Sequence, residues 1–138
     1  MPGRYSAFPH TGDVGLEIRA DSPGELFATA GRALTEQMAR PVPGPEMVRE
    51  RLELDADGWE DLFVHWLNTL LLRSELAQAW WTGFEIEALS PVRLVAAISG
   101  PRRGPQHERM REVKAVSFHD LKLELAPGGC MARVVIDL

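Results

Sequence analysis

The sequence predicts an α+β protein, a two-layer sandwich in which two helices pack on a mostly antiparallel mixed sheet of about seven strands. Two long segments place apolar residues at helical spacing, and each opens on a capping pattern. Roughly seven short segments alternate or run apolar as strands do. The later strand-like segments, from "FEIEAL" onward, follow one another with no helical stretch between them, as antiparallel neighbours do.

In chain order, "VGLEIRA" comes first. Val14, Leu16, Ile18 and Ala20 face one way and Glu17 and Arg19 the other, the alternation of a half-buried strand. A helix follows, with Ser22 as its cap, Pro23 at its first position and Glu25 at its third. Leu26, Ala30, Leu34 and Met38 form its apolar stripe, and the prolines of "RPVPGP" stop it. "MVRERLEL" reads as a strand with Val48, Leu52 and Leu54 on one face and Glu50 out of pattern. The second helix is expected to follow Asp57, with Glu60 completing a second capping box. Its residues Trp59, Leu62, Phe63, Trp66, Leu67, Leu70 and Leu71 recur at helical spacing and mark it as the core helix, its tryptophans serving packing. After "WWTG" come "FEIEAL", "VRLVAAISG", "EVKAVSF", "LKLEL" and "CMARVVIDL", the last two joined by the turn "APGG". The arginine-bearing piece "PRRGPQHERMR", residues 101–111, has no apolar pattern beyond Met110. It reads as an exposed, mobile loop, with His107 and Glu108 at a solvated surface.

A length of 138 residues fits a single domain, residues 1–138. The net charge of -5, from 20 acidic and 15 basic residues, argues against a domain that holds nucleic acid strongly by neutralising phosphates. The single cysteine, Cys130, excludes an internal disulfide and any multi-cysteine zinc site, and its apolar strand points to a buried thiol rather than a nucleophile. "MPGRYSAFPH" has neither the apolar run of a signal peptide nor the basic pattern of a transit peptide, and no window has the length of a membrane span. A cytoplasmic protein is expected.

Dense catalytic motifs are absent: there is no glycine-rich phosphate loop, no "HExxH" and no nucleophile elbow. Chemistry must therefore come from groups that folding brings together. In "HTGDVG", His10, Thr11 and Asp13 can bind a metal or a proton. At the other end, "RVVIDL" brings Asp137 and the Leu138 carboxylate to a strand end together. If the last strand lies beside the one starting at Val14, Asp13 meets both, and converging carboxylates favour a hard divalent cation, calcium or magnesium before manganese. The alternative is a local turn bond at Asp13 and a solvated Asp137. A second group is His10, Lys114 and His119; "EVKAVSFH" places Lys114, Val116 and Phe118 on one strand face and His119 at its end. His65, beside the apolar stripe of the second helix, reads as structural.

"HTGDVGLEIRA", "EDLFVHWLNTLL", "HERMREVKAVSFH" and the closing "ARVVIDL", in this order and spanning nearly the whole chain, resemble the archease family. That resemblance implies a small cytoplasmic accessory protein of RNA processing, a cofactor of the RtcB-type RNA ligase that promotes guanylylation of the ligase's active-site histidine. It also implies that Asp13, Asp137 and the Leu138 carboxylate hold the metal, with His10, Lys114 and His119 as candidates for accessory or partner contact. Departures from the family pattern are Gly12 for the usual alanine, His65 and Thr69 for acidic residues on the second helix, and Met110 and Arg111 before Lys114. A chaperone or adaptor role toward another RNA-processing enzyme, such as a tRNA cytosine methyltransferase, is the competing expectation. A metal-dependent hydrolase is disfavoured, since no separate general base accompanies the carboxylates.

Overall fold

In the computed structural model, residues 3–10 and 12–138 are described; Thr11 of the "HTGD" stretch lies outside them. The chain runs β1 (Arg4–His10), β2 (Asp13–Ala20), α1 (Pro23–Met38), β3 (Ala39–Arg40), β4 (Met47–Asp55), α2 (Trp59–Ala77), β5 (Gly83–Ser90), β6 (Arg93–Pro101), β7 (Glu108–Arg109), β8 (Ala115–Ala126) and β9 (Gly129–Asp137). The α+β class holds, with two helices against antiparallel strands. The strands divide into a four-stranded sheet, β1-β2-β9-β8, a three-stranded sheet, β4-β6-β5, and the short pair β3-β7. Every strand pairing is antiparallel.

Alternation in β2 and β9 builds the core. Val14, Leu16, Ile18 and Ala20 share their buried face with Cys130, Ala132, Val134 and Ile136. Helix α1 packs against β2 and β5, and α2 against β4 and β8. Trp66 is fully buried, and its indole N–H donates to the Phe27 carbonyl at 2.9 Å, so the large ring enters the core with its polar atom paired. Trp81 does the same toward the Leu70 carbonyl at 3.2 Å.

Helix α1 starts on its expected cap, with the Ser22 hydroxyl accepting the Glu25 N–H at 3.2 Å, but the Glu25 carboxylate makes no return bond and its Oε2 is enclosed and unpaired, so the capping box is only half formed. Helix α2 does not start on its expected cap. Gly58, at φ 143°, is its N-cap and offers no side-chain bond, so Asp57 and Glu60 form no capping box. Instead Asp61 reaches back to accept the Asp57 N–H at 3.0 Å.

Two further expectations are corrected. Strand β1 was not anticipated, because Pro9 and its mostly exposed residues blur the alternation; as the edge of its sheet, β1 tolerates a missing N–H. Residues 101–111 are not a loose loop. Arg102 bridges to Ala79, Glu108 and Arg109 pair with β3, and the Arg103 guanidinium lies 4.0 Å from the centre of the Trp80 ring. His107 is buried rather than solvated: its Nδ1 accepts the Val42 N–H at 2.9 Å while Nε2 faces the Arg102 carbonyl at 3.2 Å. A polar side chain that satisfies two backbone groups leaves no apolar periodicity to read.

Candidate functional site

In the hairpin that joins β1 to β2, Gly12 stands at φ 73°, a left-handed conformation that glycine adopts without strain. This sets His10 directly opposite Asp13. Asp13 in turn stands opposite Asp137, and Asp137 opposite Ala115. Directly opposed residues project to the same side of a sheet. Since Val14 and Ile136 face the core, His10, Asp13 and Asp137 form a row on the other face, at the end of the sheet where β9 finishes.

The row is half-buried. His10 and Asp13 are about one-quarter exposed, and the His10 Nδ1 lies 3.8 Å from an Asp13 oxygen. Leu138 follows Asp137 directly and is partly exposed. Among the described residues no lysine or arginine is ion-paired with Asp13 or Asp137. Like charges directly opposed across strands destabilise by up to about 1 kcal/mol, so this is a pair that gains from a cation between its members. The two carboxylates offer only oxygen donors, which fits the hard divalent ions.

The second predicted group is only partly assembled. His119, two-thirds exposed, comes to His10 with ring centroids 5.7 Å apart and edge to face. Lys114 meets the row through its main chain, its N–H donating to the Asp137 carbonyl at 2.9 Å. The residue itself borders a different cleft, of about 810 Å³, with Asn68, Trp80, Arg103 and Arg109. His65 lies away from the row, with Nδ1 at 3.2 Å from the Asp55 carbonyl.

Two residues escaped the sequence reading. Asp120 sits where the β8-β9 register shifts between Ser117 and Lys122, at φ 54°, and its Oδ2 lies 3.2 Å from His10 Nε2 and 3.3 Å from His119 Nε2. The available signal was the dipeptide His119-Asp120 between two strand-like runs, since aspartate is among the residues most often found in the left-handed region. The shift also explains Phe118: the alternation that buries Val116 breaks after Ser117, and Phe118 is 57% exposed. The other residue is Asn68 of α2. Its side-chain amide donates to the Val116 carbonyl at 3.0 Å and its oxygen accepts the Val116 N–H at 2.8 Å, pairing the outer edge of β8 as a neighbouring strand would.

Cys130 is buried, and burial pushes its thiol above the ordinary value, in keeping with a structural role. No helix among the described residues is long and apolar enough to cross a membrane.

Residues 5–138 match the profile of the Archease protein family. A protein archease from Methanopyrus kandleri is 31% identical over 142 residues, covering 97% of this chain and 99% of its own. The solution structure of a Methanobacterium thermoautotrophicum protein superposes with a TM-score of 0.76 at 27% identity, over 97% of this chain and 98% of that one. The crystal structure of a Thermotoga maritima protein, described as an archease and possible chaperone, superposes with a TM-score of 0.68 at 23% identity, over 95% and 94% of the two chains. This last likeness speaks for the fold.

Proposed function

Because the chain belongs to the archease family, we propose that it is an accessory protein of RNA processing that activates an RtcB-type RNA ligase. In this reading it is not itself an enzyme. It promotes guanylylation of the ligase's active-site histidine, so that the ligase turns over repeatedly, and does so with a divalent cation held by Asp13, Asp137 and the Leu138 carboxylate. The observation that carries the proposal is the register that sets Asp13 against Asp137 at the end of β9.

These residues suit a hard cation. Asp13 and Asp137 offer oxygen donors from adjacent strands whose spacing is fixed by ladder hydrogen bonds. A bound divalent ion supplies charge that neutralises and aligns the triphosphate oxygens of a nucleotide. The chain's own part is positional: the row lies at a sheet end, half-exposed, where a partner's active site can approach it.

The test is multiple-turnover guanylylation and RNA joining by the ligase of the same organism, with GTP and a divalent ion, comparing wild type with Asp13→Ala. Stimulation by wild type and loss in the variant are expected. Full stimulation by the variant would remove the carboxylate row from the mechanism. The adaptor reading, directed at another RNA-processing enzyme, draws on a different surface. Exposed Leu72 and Met110 border the larger cleft, and an adaptor using them would survive both Asp13→Ala and chelator.

A further inference from the structure

Beside the carboxylate row, three groups gather that the proposed ligase role does not use. His10 comes from the end of β1, and His119 and Asp120 from the irregular middle of β8. One potential ligand atom from each lies within 4.8 Å of the others. The two Nε2 atoms approach the same Asp120 oxygen, at 3.2 Å from His10 and 3.3 Å from His119. Ligands bound tetrahedrally to an ion at 2.0–2.1 Å stand about 3.4 Å apart, so both separations already match such a shell. The third separation, between the two imidazole ligand atoms and within 4.8 Å, closes by rotation of His119, whose side chain is 67% exposed.

The far side of the His10 ring strengthens the case. A metal-bound histidine usually donates its other ring N–H to a carboxylate, which fixes the ring and makes it a better ligand. His10 Nδ1 is enclosed and has no hydrogen-bond partner, and the nearest acid is Asp13, 3.8 Å away. A small tightening of that contact produces the carboxylate–histidine–metal arrangement.

From this geometry we infer that His10, His119 and Asp120 form a second cation site, selective for a borderline ion of the zinc class and distinct from the carboxylate set of Asp13, Asp137 and Leu138. Two imidazole nitrogens and one carboxylate oxygen suit zinc better than calcium or magnesium, which take oxygen. Three protein ligands leave a fourth position open to water or to a group on a partner. Asp13 serves both sites, as a ligand in the row and as the orienting carboxylate for His10.

Cobalt(II) is the probe, because its visible absorption reports coordination number and is displaced by zinc. Titration of the full chain should give one equivalent with a tetrahedral or five-coordinate spectrum that zinc abolishes. His119→Ala and Asp120→Asn, both at exposed positions, should lose the spectrum or weaken binding by about 10-fold or more, with melting temperatures near wild type. Asp137→Asn should keep it, as should His65→Ala. A wild-type protein with no such spectrum would overturn the assignment. So would a spectrum that persists in His119→Ala, or one that disappears in Asp137→Asn alone, which would put the ion in the carboxylate row. Because ligase stimulation is not the readout, this site can fail while the ligase role stands, and the reverse.

Discussion

Asn68→Ala should loosen the edge of the sheet on which the site is built. Strand β8 is the last strand of its sheet, and the N–H and C=O of Val116 are paired by the Asn68 side chain, at 2.8 and 3.0 Å. A net hydrogen bond contributes about 1 kcal/mol, and a buried group left unpaired costs about 1–3 kcal/mol. The two bonds are only part-buried, so water can recover some of that loss in the variant. The expected cost is about 2 kcal/mol, read as a lower urea midpoint at unchanged slope and a fall in Tm of about 8 °C. Asn68→Asp should be at least as damaging, since it keeps an acceptor for the Val116 N–H but sets an oxygen against the Val116 carbonyl. Amide exchange should rise at Val116 and at Lys114, two residues before it, whose N–H bonds the Asp137 carbonyl. A loss below about 0.5 kcal/mol in both variants would show that Asn68 sits beside β8 without holding it.

Adding residues after Leu138 should weaken calcium or magnesium binding by about 10- to 100-fold, by titration calorimetry, if the terminal carboxylate is a ligand; unchanged affinity would remove Leu138 from the set. His107→Ala leaves the Val42 N–H and the Arg102 carbonyl without their partner, so about 2 kcal/mol of stability should go, and trypsin should cut faster at Arg102, Arg103 and Arg109. The Tyr5 hydroxyl is pushed up to about 12, first by burial and then by its bond to the Glu36 carboxylate. A raised folded value favours the protonated form, so this contribution is fully present below pH 10 and is lost as pH climbs through about 12. The stability advantage of wild type over Tyr5→Phe should shrink across that interval; a constant difference would contradict the assignment.

Where apolar side chains alone decide the structure, the amino-acid order was readable. The alternation of β2, the stripe of α1 and, beside them, the Ser22 cap appear as expected, and two amphipathic strands lying side by side oppose Asp13 to Asp137. What could not be read rests on polar groups satisfying backbone at long range. His107 is buried by bonds to Val42 and Arg102, and Asn68 meets β8 from 48 positions away. Asp120 was hidden differently: a register shift inside one strand looked like a break between two, so its approach to His10 had no local sign. Strand β1 depends on its neighbour, since Pro9 and its exposed residues give no pattern until β2 is there to pair with it.

The β2-β9 ladder carries a constraint of parity. Residues on alternate sides of a strand exchange faces when the pairing slips by one, so a single insertion between Val14 and Ala20 would turn Leu16 and Ile18 outward and carry an acid into the core. A single extra residue there needs a bulge to absorb it, as β8 has between Ser117 and Lys122, and a shift of two would part Asp13 from Asp137. The same hydrophobic residues that stabilise the sheet thus act as a ruler for its charged end. Segments outside that ladder, such as residues 43–45 between the Val42 and Glu46 anchors, can change length without shifting the β2-β9 register that opposes the two carboxylates.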